Sequence, residues 1–228
     1  MAVRRWNFLL TLFTLLSISL PLQAADEKVA PLNEAPAGLS AEIAAAISDS
    51  GYRITDASGI VCDLWFARDL PLKPKFKANL RVKYPLQAGQ LVGVIRYPAS
   101  SKPNDFRGQA LKPGTYILRY GLQPDDGNHL GTSDIRDFLV GCPPDKDKSP
   151  ARISDVKQLF KLSAGAAGTS HPAIFLLIPP PEQPVEGATV VHDTEKHLLI
   201  FQASAPGKDG DKAVPIPFKI VTVGKSDG

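Results

Sequence analysis

The sequence predicts a mainly β protein: a two-sheet antiparallel β-sandwich with two short peripheral helices. Three observations carry that prediction. Apolar and polar residues alternate in run after run, the mark of strands with one face buried. Turns rich in Gly, Pro and Asp separate these runs at short intervals. Only two short stretches show helical spacing instead.

The clearest pair of strands lies in residues 108–142. Pro113-Gly114 fits the centre of a type II turn, where Pro presets φ and Gly accepts a positive one. Tyr116, Leu118, Tyr120 and Leu122 then share one face, and Thr115, Ile117, Arg119 and Gly121 the other. A polar loop over 123–134 contains Asp126-Gly127 and leads to a second strand over 135–141 that ends at Cys142. This long-looped hairpin is the expected centre of the sandwich.

In chain order, residues 1–24 read as a signal peptide. Arg4 and Arg5 form a basic start, an interrupted apolar run follows, and Ala24-Ala25 supplies the small residues of a cleavage site. The run is short and broken for a transmembrane helix, so no transmembrane anchor is expected after signal cleavage, an uncleaved anchor being the alternative. Residues 25–38 read as a flexible leader, 39–224 as a single β-sandwich domain, and 225–228 as a frayed tail. Ser40 caps a short helix over 41–49, with Gly51 placed for its left-handed C-terminal residue. Strands over 52–55 and 60–66 flank the turn Asp56-Ala57-Ser58-Gly59.

Residues 76–86 have the cleanest alternation in the chain and predict a long strand. Phe76, Ala78, Leu80, Val82 and Tyr84 would face inward, with Lys77, Asn79, Arg81 and Lys83 outward. Together with Lys75 these cations make a candidate face for polyanions, or an ordinary solvated strand face. A strand over 91–97 follows. Ser154 caps a helix over 155–162, where Val156, Leu159 and Phe160 fall at helical spacing. Further strands are expected over 173–178, 190–191 and 197–201. The last strand, over 214–220, carries Pro215 and Pro217 and so belongs at a sheet edge.

The stretch LKPGTYILRYGLQPDDGNHLGTSDIRDFLV, residues 111–140, resembles a segment found in a group of uncharacterised secreted bacterial β-rich proteins. The resemblance implies an exported β-rich domain. It implies no assigned activity and carries no catalytic residue across.

Charge excludes little but decides one point. The chain has 26 Lys and Arg against 23 Asp and Glu, and loss of Arg4 and Arg5 leaves 24 against 23. Such a balance calls for no nucleic acid partner. The two cysteines, Cys62 and Cys142, sit in or beside predicted strands of an exported chain, which permits one disulfide or, equally, two free buried thiols. A disulfide would close a loop of about 80 residues, contributing about 4 kcal/mol on chain-entropy grounds.

No H-E-x-x-H, P-loop, dinucleotide fingerprint, C-x-x-C or EF-hand pattern occurs. A blue-copper site is also excluded, because the only methionine is Met1. No cofactor is implied. Three constellations remain. His192 and His197 bracket a four-residue loop with Asp193 and Glu195, a set that suits Zn²⁺ or Cu²⁺ or is simply an exposed hairpin. The loop carrying Asp125, Asp126, Asn128, His129 and Asp134 has oxygens that suit Ca²⁺ or ordinary turn chemistry, and Arg136 and Asp137 could instead clamp that loop. Ser170 and His171 are adjacent, a poor arrangement for a nucleophile and its base.

Trp65 and Tyr97 complete the candidates, as aromatic platforms for a sugar or as packed core rings. The leading expectation is an exported, non-enzymatic domain with a binding or structural role at the cell envelope, facing an unknown protein or glycan ligand. The alternative is a metal-dependent hydrolase or metal carrier built on His192 and His197.

Overall fold

A computed structural model describes residues 27–124 and 133–224. The expected signal segment 1–24, loop residues Asp125, Asp126, Asn128 and His129, and the tail 225–228 lie outside the described residues. The described chain is mainly β, with two helices and two largely antiparallel sheets, as the alternation predicts.

The strands are β1 (Lys28–Leu32), β2 (Gly51–Asp56), β3 (Gly59–Phe66), β4 (Leu70–Pro71), β5 (Leu91–Tyr97), β6 (Gly114–Leu122), β7 (Asp137–Cys142), β8 (Ala173–Leu176), β9 (Ala188–Asp193), β10 (Leu198–Asp209) and β11 (Lys212–Val223). The helices are α1 (Ala41–Ala46) and α2 (Val156–Ala167). One sheet runs β1-β2-β3-β5-β6-β7-β8. The other runs β11-β10-β4, with β9 also beside β10. The short β10–β4 pairing is parallel.

The inner faces meet through aromatic rings. Phe66 of β3 packs on Phe201 and Phe218 of the second sheet, at ring separations of 6.3 and 5.3 Å. Tyr52 lies 5.3 Å from Phe201. The Tyr97 hydroxyl reaches across to the Thr222 carbonyl. Both ends of the large sheet also touch the second sheet. At β8, the Ile178 N–H donates to the Lys219 carbonyl at 3.0 Å. At β1, Glu27 meets His192 of β9 at 2.7 Å.

Local signals position several elements as expected. The Ser40 hydroxyl accepts from the Ile43 N–H and starts α1. Asp56 accepts from the Ser58 N–H at 2.7 Å, and Gly59 takes φ 124° to close the β2–β3 turn. β11, with Pro215 and Pro217, lies at the end of its sheet. The cap of α2 moves one residue, to Asp155, whose carboxylate accepts from the Lys157 and Gln158 N–H groups. Gly168, at φ 70°, ends that helix. Helix α1 stops earlier than predicted: Ile47 is already extended and Gly51 opens β2.

Four expectations are corrected. Residues 28–32 of the supposed flexible leader form β1 on the sheet edge, where Pro31 is tolerated. Residues 76–86 form no strand. Their backbone is diverted by a distant acid: Asp137 accepts from the Lys83 N–H at 2.7 Å and the Tyr84 N–H at 3.2 Å. At the other end of the segment, the Asn79 side chain accepts from the Arg81 and Val82 N–H groups, fixing a turn. Leu80, predicted to face inward, is 88% exposed.

The third correction concerns β6, which was expected to be half-buried and is covered on both faces. Its outer-face Arg119 is fully buried, and it holds the segment 147–151 over the sheet. Asp147 takes Nε and Nη2 at 2.6 and 2.7 Å, and the Gly89, Ala151 and Ser149 carbonyls take further N–H groups.

The fourth is the disulfide, since Cys62 and Cys142 are both free and buried. They lie on β3 and β7, three strand steps apart. That is about 14 Å along a sheet, beyond the roughly 7 Å limit between bridged Cα atoms.

Candidate ligand cleft

α2 covers only part of the outer face of β7 and β8. Its Ser163 hydroxyl donates to the Gly141 carbonyl at 2.8 Å and accepts from the Ala173 N–H at 3.0 Å, pinning the C-terminal half of the helix. Toward the helix start, Phe160 leans on Phe138 of β7 with ring centroids 6.0 Å apart. Beyond that contact a cleft of about 500 Å³ remains open.

Its floor is Phe138, Ile174 and Leu176, outer-face residues that the β7–β8 register places side by side. Phe160 forms one wall and Phe106 another, while Arg107, Gln123 and His171 add polar groups. Asp105 holds the wall in place. It is almost fully buried, and it accepts from the Arg107 and Gln109 N–H groups at 2.9 Å and the Ile174 N–H at 3.1 Å. Burial raises the Asp105 pKa above its ordinary value, and these three donors pull it back. The Phe106 N–H also donates to the Ile174 carbonyl at 2.8 Å. Arg107 is thus presented beside the cleft from an anchored loop.

The neck of the β6–β7 loop closes the adjacent side. The Gln123 N–H donates to the Arg136 carbonyl at 2.8 Å, and Arg136 Nε returns a bond to the Gln123 carbonyl at 2.7 Å. Arg136 therefore clamps this loop, as its position suggested. Asp137 does not: it turns inward to Tyr84 and Tyr120.

No family model, curated protein or solved structure matches this chain.

The other candidates are placed as follows. Trp65 is fully buried, and its Nε1–H donates to the Glu34 carbonyl at 2.7 Å. Tyr97 is 2% exposed. Neither ring is presented as a stacking platform for a sugar. His192 Nδ1 faces Glu27 rather than His197. His197 sits in the turn at φ 53°, and Asp193 accepts from the Lys196 N–H at 3.0 Å within that turn. Among the described residues, no three His, Cys, Asp or Glu side chains converge as a metal site, and the structure does not bring Glu195 into one.

A second hollow, about 410 Å³, lies over a row that spans three strands. Arg53, Asp63 and Arg96 are directly opposite one another on β2, β3 and β5. Buried Asp63 accepts from both guanidiniums at 2.7–3.1 Å, and Arg96 also reaches Glu34 at 3.2 Å. Its guanidinium lies 5.1 Å above the Trp65 ring. The charges satisfy one another, so the row is a clamp across the sheet.

Sequence pattern alone does not find Phe106, Arg107 or Phe138 as cleft residues. Phe160 has a faint signal, because it extends the apolar spacing of α2.

Proposed function

We propose that this chain is an exported, non-enzymatic domain that binds a small amphipathic molecule in the cleft beside α2, its apolar body against the phenylalanines and an anionic head toward Arg107. The observation that carries this reading is the cleft itself: about 500 Å³, floored by apolar side chains, with a few polar groups at its margin. That size and chemistry are those of small-molecule sites.

Binding is favoured over catalysis by the lining. Ser170 and His171 are chain neighbours, and the described lining residues include no carboxylate to orient the imidazole. The basic start, apolar run and small-residue end of residues 1–24 support export. A role at the cell envelope follows from that reading.

The test is a calorimetric titration with three probes of equal chain length: dodecanoate, dodecanol and dodecylammonium. Dodecanoate is expected to bind most tightly. Arg107→Gln should bring dodecanoate down to the level of dodecanol, a loss of about tenfold for one charge-assisted hydrogen bond. Equal binding of all three probes to the native protein, or binding of none, would overturn the reading.

A further inference from the structure

We propose that the excursion over residues 73–85 docks this protein on an anionic phospholipid surface, with Leu80 entering the boundary between headgroups and acyl chains. The inference rests on residues separate from the cleft and stands or falls without it.

No acidic residue occurs between Asp69 and Asp105, while Lys73, Lys75, Lys77, Arg81 and Lys83 all lie within that span. The excursion is held at both ends. At its neck, the Lys73 N–H donates to the Pro85 carbonyl at 2.7 Å. Behind the neck, Tyr84 is fully buried, and its hydroxyl donates to the Ile178 carbonyl at 2.8 Å. At the tip, the Asn79 N–H donates to the Val82 carbonyl at 3.0 Å, and the Asn79 side chain accepts two further N–H groups at 2.8 Å. That turn places Leu80 at its apex.

Leu80 is 88% exposed, against 55% for Val191 and 39% for Ile60 and Val156, the other exposed large apolar side chains among the described residues. Lys75 and Lys77 are exposed on the same excursion, as is Lys73 at its neck, and Phe76 is half-exposed. An apolar tip collared by cations matches the layering of a bilayer interface, with lysines at the phosphates and leucine below them. A sulfated polysaccharide would engage the same lysines but give Leu80 no partner. The leucine therefore favours lipid over the polyanion that the charges alone would suggest.

The experiment is vesicle co-sedimentation of the purified protein. One set of vesicles contains phosphatidylglycerol and phosphatidylcholine in equal amounts, and the other phosphatidylcholine alone. Binding is expected only to the anionic vesicles and should weaken as salt is raised. Leu80→Ser should lower the partition coefficient at least about tenfold, the effect of losing a buried leucine side chain. Lys75→Ser with Lys77→Ser should lower it about thirtyfold. Both variants should keep the native melting temperature, because these side chains are exposed. No binding to anionic vesicles would overturn the proposal. So would a Leu80→Ser variant that binds as well as the native protein, particularly if heparin displaces both, which would mark a polyanion binder.

Discussion

Replacing Arg119 with methionine should destabilise this protein more than almost any other single polar change. The guanidinium is fully buried, and its partner Asp147 is 4% exposed. Methionine fills much of the same volume but leaves the Asp147 carboxylate without the two N–H groups that hold it at 2.6 and 2.7 Å. The Ser149 and Ala151 carbonyls lose their donors as well. Gly89 retains the Ile153 N–H at 3.2 Å. Breaking a buried pair while leaving one charge in place costs about 3–5 kcal/mol. For a domain of this size, that lowers Tm by roughly 6–20 °C. The assay is thermal unfolding followed by circular dichroism, on Arg119→Met alone and on Arg119→Met with Asp147→Leu. The double variant should recover most of the loss, because no uncompensated charge remains. A single variant melting within about 2 °C of the native protein, well below the shift expected from a broken buried pair, would refute this view of the segment 147–151. So would a double variant no better than the single.

Two further outcomes follow from buried groups. Cys62 and Cys142 should stay unmodified by iodoacetamide in the folded protein at mildly alkaline pH and both react once it is denatured. Burial pushes the Cys142 thiol up to about 12 and the Cys62 thiol also well above its ordinary value. An intact mass two hydrogens below the reduced chain would contradict this. Burial also raises the Asp137 pKa above its ordinary 3.8, outweighing donors led by Tyr120. The folded state then holds a proton that the unfolded state releases, so this group's contribution to stability falls as pH rises from about 3.8 toward the raised value and is level above it. The stability advantage of the native protein over Asp137→Asn, measured by urea denaturation, should therefore shrink across that window. An advantage that grows with pH would show the opposite shift.

How far the fold is legible in the sequence depends on where each backbone group finds its partner. The β5–β6–β7 strands and their order read correctly, because their alternation and pairing lie within a few dozen residues. The Asp56 turn and the Ser40 cap read correctly for the same reason: donor and acceptor are two or three positions apart. Residues 76–86 misread because their alternation is local and their partner is not. Asp137 lies 54 positions from Lys83, and nothing near Lys83 announces it. β1 is hidden by Pro31 and its Ala-rich surroundings, features that an edge strand tolerates.

Arg119 misleads in another way. A charged residue on an alternating strand signals solvent, but here the segment 147–151 folds over it and supplies most of its acceptors, with the Gly89 carbonyl taking one more N–H. The cleft is the least legible feature. Its walls come from the β5–β6 loop, β7, α2 and β8, which only the sheet order and the Asp105 clamp bring together. Ser170 and His171 do line it, but as margin residues beside an apolar floor.

The ligand cleft is tested most directly by an amide-detected NMR titration with dodecanoate. Saturable shifts are expected at Phe106, Arg107, Phe138, Phe160, His171 and Ile174, with residues 73–83 and the β9–β10 turn unmoved. Shifts scattered over the surface, or none at saturating probe, would contradict a built binding site beside α2.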